Sequence, residues 1–183
     1  RGLGDVYKRQ TYHTADRTIT ITCDDNGNLL SIVLRGNLSP ARLSAELCRL
    51  HAKALPKYEQ PYNNREIDSV MARLSEPPIP ALAEIYGALH NSMATLRKAG
   101  EDLETHSSEG STDAVTVTIS GRGCLTSVEC KDKAKKLTAN ELAASILEAY
   151  QQAKTAEQTY SEQWSTQLTA TLEEINPVRV TTT

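Results

Sequence analysis

The chain has 183 residues, with 20 Lys and Arg against 23 Asp and Glu, a formal net charge of −3, one Trp and no Phe. This balance describes a globular protein whose core is built mainly from Leu, Ile, Val and Ala. It supplies no overall excess of basic charge to drive non-specific nucleic-acid binding, and no stretch approaches the roughly 18 apolar residues that a membrane-spanning helix needs.

The first ten residues, RGLGDVYKRQ, have no helical or strand period and no apolar signal-peptide core. All ten resemble the translation of a transposase adapter used to prepare DNA sequencing libraries. Residues 1–10 are therefore expected to be an adapter-derived artefact and are set aside. With them goes the expectation that native sequence upstream of Thr11 is missing, including the true N-terminus and any export signal. Removing Arg1, Lys8 and Arg9 against Asp5 leaves the remainder more acidic.

Two later stretches share a pattern, RTITITCDDNGNLLSIVL from Arg17 and AVTVTISGRGCLTSVEC from Ala114. Setting Gly27 against Gly123 aligns Ile19 with Val115, Ile21 with Val117 and Cys23 with Ile119. Past the glycines it aligns Leu29 with Leu125, Ser31 with Ser127, Ile32 with Val128 and Leu34 with Cys130. Alternating apolar and Thr positions predict a strand with one buried face in each copy. A Gly-containing turn follows, Asp25-Asn26-Gly27 or Gly121-Arg122-Gly123. Asn-Gly is a strong hairpin signal because both residues tolerate positive φ.

Each hairpin leads into a helix. Ser39 caps the first, with Pro40 at its opening position. Its apolar face is Leu43, Leu47, Leu50 and Ala54. Thr138 and Glu141 form a capping box for the second. Its row is Leu142, Ile146, Ala149, Ala153, Tyr160, Trp164 and Leu168. This helix is predicted to run to about Glu174, long enough for part of it to project as a coiled-coil-like arm. Another helix is predicted from Ala81 to Thr105, with Leu82, Ile85, Leu89, Met93, Leu96 and Leu103 in one row. The second copy thus reads helix, hairpin, helix. The first lacks its leading helix, which the missing upstream sequence is expected to encode. The linker at 57–80 is rich in Pro and Asn, with a short helix expected at Glu66 to Leu74.

Catalytic and metal chemistry find no foothold. Cys23, Cys48, Cys124 and Cys130 contain no C-x-x-C pair. Cys23, Cys130 and Cys48 align with Ile119, Leu34 and Leu147, which makes them small buried hydrophobes. Cys124 falls beside a turn, opposite Asn28, and a reducing cytoplasm suits all four. His13, His51, His90 and His106 show no i, i+4 ligand spacing, and His51 and His90 are expected on helix surfaces. Asp24-Asp25 flank a turn, where Asp is favoured anyway. Gly121-Arg122-Gly123 lacks the ending of a phosphate loop. No enzyme, cofactor or metal is expected.

The one marked charge feature is Lys131, Lys133, Lys135 and Lys136 against a single Asp132. It stands between the last strand and the last helix. Such a cluster can meet phosphates. Arg42, Arg49 and Lys53 share a face of the first helix through spacings of seven and four. Arg97 and Lys98 lie on the central helix. No aromatic stacking residues occur in the hairpins, which argues against an RNA or single-strand platform.

The order of helix, Val115-Thr116-Val117-Thr118-Ile119 strand, Gly121-Arg122-Gly123 turn, Leu125-Thr126 strand and Leu137-Thr138 with Glu141-Leu142 resembles the YbaB/EbfC family of nucleoid-associated proteins. Its divergent actinobacterial relatives are the most similar. The resemblance covers about Pro80 to Trp164 well and Arg17 to Ala54 more weakly. It implies an α+β fold of hairpin sheets and projecting helices that binds double-stranded DNA with little sequence preference. The expected organisation is a truncated first unit at 11–56, the linker at 57–80, a second unit at 81–174 and a flexible tail at 175–183. With two copies in one chain, the partner is double-stranded DNA and the assembly is a homodimer or an intramolecular pseudo-dimer. Neither membrane nor small-molecule substrate is expected, and the location is cytoplasmic, at the nucleoid. Lys131, Lys133, Lys135, Lys136, Arg42, Arg49, Lys53, Arg97 and Lys98 are the expected DNA contacts. The alternative is a protein–protein adaptor tied to a specialised secretion locus. A Tyr-x-x-x-Glu match at Tyr62 to Glu66 adds nothing to it, because one is expected by chance in a chain with 7 Tyr and 23 acidic residues.

Overall fold

The computed structural model describes residues 8–56, 64–76 and 79–175. The elements in chain order are β1 (Gln10–His13), β2 (Ile19–Cys23), β3 (Leu29–Leu34), α1 (Pro40–Ala54), α2 (Asn64–Leu74), α3 (Ala83–Thr105), β4 (Ser107–Ser111), β5 (Val115–Ser120), β6 (Leu125–Cys130) and α4 (Ala139–Ile175). Short 3-10 turns at Pro80–Leu82 and Asp132–Lys136 lead into α3 and towards α4. The Tyr62 match, most of the linker's Pro and Asn residues, and the tail beyond Ile175 lie outside the described residues.

The strands form two antiparallel three-stranded sheets, β1-β2-β3 and β4-β5-β6. Alternation decides which face is buried. Ile19, Ile21 and Cys23 of β2 and Val115, Val117 and Ile119 of β5 are buried, and the Thr residues between them are half-buried. Both hairpin turns are built alike. Gly27 N–H donates to Asp24 O at 3.0 Å and Gly123 N–H to Ser120 O at 2.7 Å. Each ladder shifts register at the same place, between Thr22 and Cys23 and between Thr118 and Ile119. Only the glycines are left-handed, at φ 80° and 75°. Asn26 does not share the positive φ expected of an Asn-Gly pair, because the turn is a three-residue loop closed by a glycine bulge.

Two strands escape the sequence pattern. β1 and β4 are outer strands, and the β4 sequence SSEGS has no apolar alternation. What fits Gly110 to this strand is the close approach of α4. A Cβ added there would stand 1.9 Å from Ala149 O and 2.6 Å from Ala153 N.

The helix signals hold. Ser39 Oγ accepts from Arg42 N–H at 3.3 Å with Pro40 at the first position. Thr138 and Glu141 bond reciprocally, Thr138 N–H to Glu141 Oε2 at 2.7 Å and Glu141 N–H to Thr138 Oγ1 at 3.3 Å. α1 buries Leu43, Leu47, Leu50 and Ala54 as its row predicts, and it buries His51 as well. On α4, Ile146, Ala149 and Ala153 are buried and Leu142 is half-buried.

The described residues before 57 together with His106–Thr159 make one compact unit, and those of 58–105 and from Tyr160 onward make a second. The first holds both sheets, α1 and the opening turns of α4, around one core of Leu, Ile, Val and Ala. In the second, α3 meets α2 and the last turns of α4. There Thr95, Ala99 and Asp102 line a cleft with Trp164 and Leu168. The apolar row of α3 is not buried as a row. Ile85, Leu89 and Leu96 remain 46, 49 and 45 % exposed, while Ala99 of the same helix is buried.

Two substitutions test this account. Gly110→Ala forces α4 from the sheet and is expected to cost about 3 kcal/mol in a urea unfolding experiment. Arg17 holds φ 55° in the β1–β2 turn, so Arg17→Gly is expected to raise stability by about 1 kcal/mol, read from the same unfolding curve.

Candidate nucleic-acid interface

The expected basic residues fall on three segments. Lys131, Lys133, Lys135 and Lys136 sit on and just before the 3-10 turn that precedes α4, and all four are exposed. Ala134 is buried beneath them and anchors the turn. Arg42, Arg49 and Lys53 lie along α1. Arg97 and Lys98 lie on α3, in the second unit.

Most of these cations already hold partners. Lys131 Nζ donates to Ser111 Oγ at 2.6 Å and to Thr112 O at 2.5 Å. Lys133 is paired with Asp113 and Arg42 with Asp16, both in direct contact. Lys135 meets Asp132 at 2.9 Å and Arg49 meets Glu46 at 2.6 Å. Arg97 reaches Asp68 at 2.5 Å and Glu101 at 3.4 Å. Lys53, Lys98 and Lys136 are exposed and hold no ion pair among the described residues. Exposed pairs of this kind contribute little stability, so the cations are available to a stronger anionic partner.

The Asp132–Lys135 and Glu46–Arg49 pairs follow from i, i+3 spacing and were legible in advance. Asp16 and Asp113 were not, because the fold alone brings the β1–β2 and β4–β5 turns to those cations. Hydrogen bonds from Thr14 and Thr18, then Arg42, hold the Asp16 carboxyl well below the usual range. Lys133 lowers Asp113, and Lys135 lowers Asp132.

Between the leading ends of α1 and α4 lies a cleft of about 530 Å³, walled by Leu34, Leu38, Leu43, Leu137 and Leu142 with Lys131 and Lys135. Among the described residues no carboxylate lines it.

What fixes these helices in place is a buried polar contact. His51, expected on a helix surface, is fully buried. The apolar face of α1 is wide enough to include it, and both ring nitrogens find partners inside. Its Nδ1 accepts from Leu125 N–H at 3.1 Å, and its Nε2 lies 2.9 Å from Gly27 O. A carbonyl only accepts, so Nε2 carries the proton and the ring is neutral. Tyr150 of α4 stacks edge-on against this ring with centroids 5.5 Å apart. The Tyr150 hydroxyl accepts from Leu29 N–H at 3.4 Å. α1 thus bonds β6, α4 bonds β3, and the two helices meet at His51 and Tyr150. Ser44 Oγ adds a bond from Val128 N–H at 3.0 Å.

Burial lowers the His51 pKa below its ordinary 6.5, with Lys154 adding to the shift and the Gly27 carbonyl opposing it. Burial raises Tyr150 to about 12 and Cys23 to about 11. All four cysteines are free thiols. Among the described residues, no three His, Cys, Asp or Glu side chains are placed to hold a metal ion. No helix there is long and apolar enough to cross a membrane.

The family model described as the YbaB/EbfC DNA-binding family matches residues 80–172, just over half of the chain. No curated protein and no solved structure matches it.

The His51 geometry sets a pH dependence. Protonation would place a hydrogen on Nδ1 facing the Leu125 N–H, two donors in opposition. Since the folded pKa lies below the unfolded one, this stabilisation is complete above pH 6.5 and is lost as pH falls below it through the folded pKa. Urea midpoints measured from pH 8 to pH 5 should fall, and His51→Gln should flatten that dependence while lowering stability at pH 8.

Proposed function

The chain belongs to the YbaB/EbfC DNA-binding family, and we propose that it is a non-enzymatic nucleoid-associated protein that binds double-stranded DNA through backbone phosphates with little sequence preference. The observation that carries this reading is the family match over α3, the second sheet and α4. The exposed cations on the segments leading into α1 and α4 support it. Lys131, Lys133, Lys135 and Lys136 are the principal contacts. Arg42, Arg49 and Lys53 extend the surface along α1, and Arg97 and Lys98 supply contacts from α3. The principal contacts are lysines, which meet phosphate as point charges, and phosphate contact carries no sequence information. The location that goes with this function is the cytoplasm, at the nucleoid.

The two sheets are tandem copies of one family unit, and they close on each other as an intramolecular pseudo-dimer. Matching turns, matching register shifts and the crossed bonds from His51 to β6 and from Tyr150 to β3 support this. His51 and Tyr150 hold the same place in the two helices when Cys48 is set against Leu147.

A second reading, a protein–protein adaptor, is favoured by the exposed Ile85, Leu89 and Leu96 of α3. Fluorescence anisotropy with a labelled mixed-sequence duplex separates the two. DNA binding predicts affinity falling steeply with salt. Neutralising Lys133, Lys135 and Lys136 together to Gln is expected to reduce the slope of log affinity against log salt by about 2 to 3. Absence of binding at low salt leaves the adaptor.

A further inference from the structure

Two carboxylates stand in related places and hold related cations. Asp16 lies in the turn between β1 and β2, and Asp113 in the turn between β4 and β5. Asp16 contacts Arg42 in the first turn of α1, and Asp113 contacts Lys133 in the 3-10 turn ahead of α4. We propose that Asp16 and Asp113 act as internal substitutes for phosphate, restraining DNA binding by occupying Arg42 and Lys133 until a duplex displaces them. This rests on the DNA-binding reading above.

The Asp16 carboxylate is set in position before any cation arrives. Its Oδ1 accepts from Thr14 Oγ1 at 2.7 Å, Thr18 Oγ1 at 2.7 Å and Thr18 N–H at 3.1 Å. Its other oxygen is left for the Arg42 guanidinium. A fixed, fully ionised oxygen facing a guanidinium reproduces one half of an arginine–phosphate contact. The β4–β5 turn gathers two cations, since Lys131 also bonds Ser111 at the end of β4 and Thr112 in the turn.

These pairs differ from Asp132–Lys135 and Glu46–Arg49. There acid and base are three residues apart on one helical segment, so the acid travels with its cation. Asp16 and Asp113 reach over from a separate turn. A competitor can take the cation and leave the acid behind. A duplex is such a competitor, because its phosphates release condensed counterions when a cation binds. An exposed pair of this kind is worth up to about fivefold in an equilibrium, enough to set the affinity without abolishing it.

The test compares two double variants with equal charge change. Asp16→Asn with Asp113→Asn frees both cations. In the first of these substitutions the new amide oxygen still accepts from Thr14 and Thr18. The control is Asp25→Asn with Glu129→Gln, both exposed and holding no ion pair among the described residues. Each is titrated against the same labelled duplex at several salt concentrations, with thermal melts to check folding. The first variant should bind about tenfold tighter than the unaltered chain and the control within about twofold. Equal gains in both, or no gain in the first, overturn the proposal. Absence of duplex binding by every variant, even at low salt, overturns the DNA-binding reading and this inference with it. If Asp16→Asn compromises folding, Asp113→Asn alone decides the matter, with an expected gain of about threefold against Glu129→Gln.

Discussion

The contact between His51 and Tyr150 is the interaction on which the first compact unit depends. A single imidazole satisfies a backbone carbonyl from one sheet and a backbone N–H from the other. The tyrosine beside it satisfies the reciprocal N–H on β3. Buried polar groups are costly unless bonded, and none of the described buried side-chain polar atoms lacks a partner. The helices therefore have little freedom to slide, because a shift of one turn would strip both ring nitrogens of their partners. Apolar packing by Leu43, Leu47 and Leu50 supplies most of the driving force. The polar contact supplies the register.

That register has consequences for the sheets. An unpaired strand edge invites pairing with another chain. Here α1 closes on β6 through Ser44 and His51, and α4 reaches β3 through Tyr150. On the other side of the second sheet, Gly110 lets α4 come near enough for Gln152 Oε1 to accept from Ser111 N–H at 3.1 Å. Each helix thus serves as core and as edge cover, and each segment that leads into a helix must sit where a sheet's first turn can touch it. The pairing of cations with Asp16 and Asp113 is a by-product of the same geometry.

The local signals that the sequence carries are those whose physics is local. The Thr138–Glu141 box, the Ser39-Pro40 start and the alternation of β2 and β5 each involve a few neighbouring residues, and each appears in the structure as read. β4 was hidden because SSEGS has the composition of a loop, and only the approach of α4 explains its glycine. His51 was misplaced because a helix-face argument weighs one helix at a time. A polar residue on the border of an apolar face looks exposed until a second helix and a second sheet arrive with partners for it. The α3 row fails for the opposite reason. Its period is genuine, but a period does not say which neighbours will cover it. Of the basic residues singled out in the sequence, all but the half-buried Arg97 are exposed. Their partners were legible only where acid and base are three residues apart.

An acidic chain and a DNA-binding family are reconciled by distance. At physiological ionic strength charges more than about 8 Å apart are largely screened, so a duplex responds to the surface it meets and not to the net −3 of the whole chain. Around the segment before α4, four lysines stand within six residues, and among the described residues two carboxylates, Asp132 and Asp113, pair with them. The formal balance there is four positive charges against two negative ones. Under the proposed function, the acidic remainder of the chain would repel a duplex and limit non-specific accumulation of protein along DNA. Under the same proposal, what would hold such a surface weak is the carboxylates that the two sheets bring up to the cations, and not a shortage of basic residues.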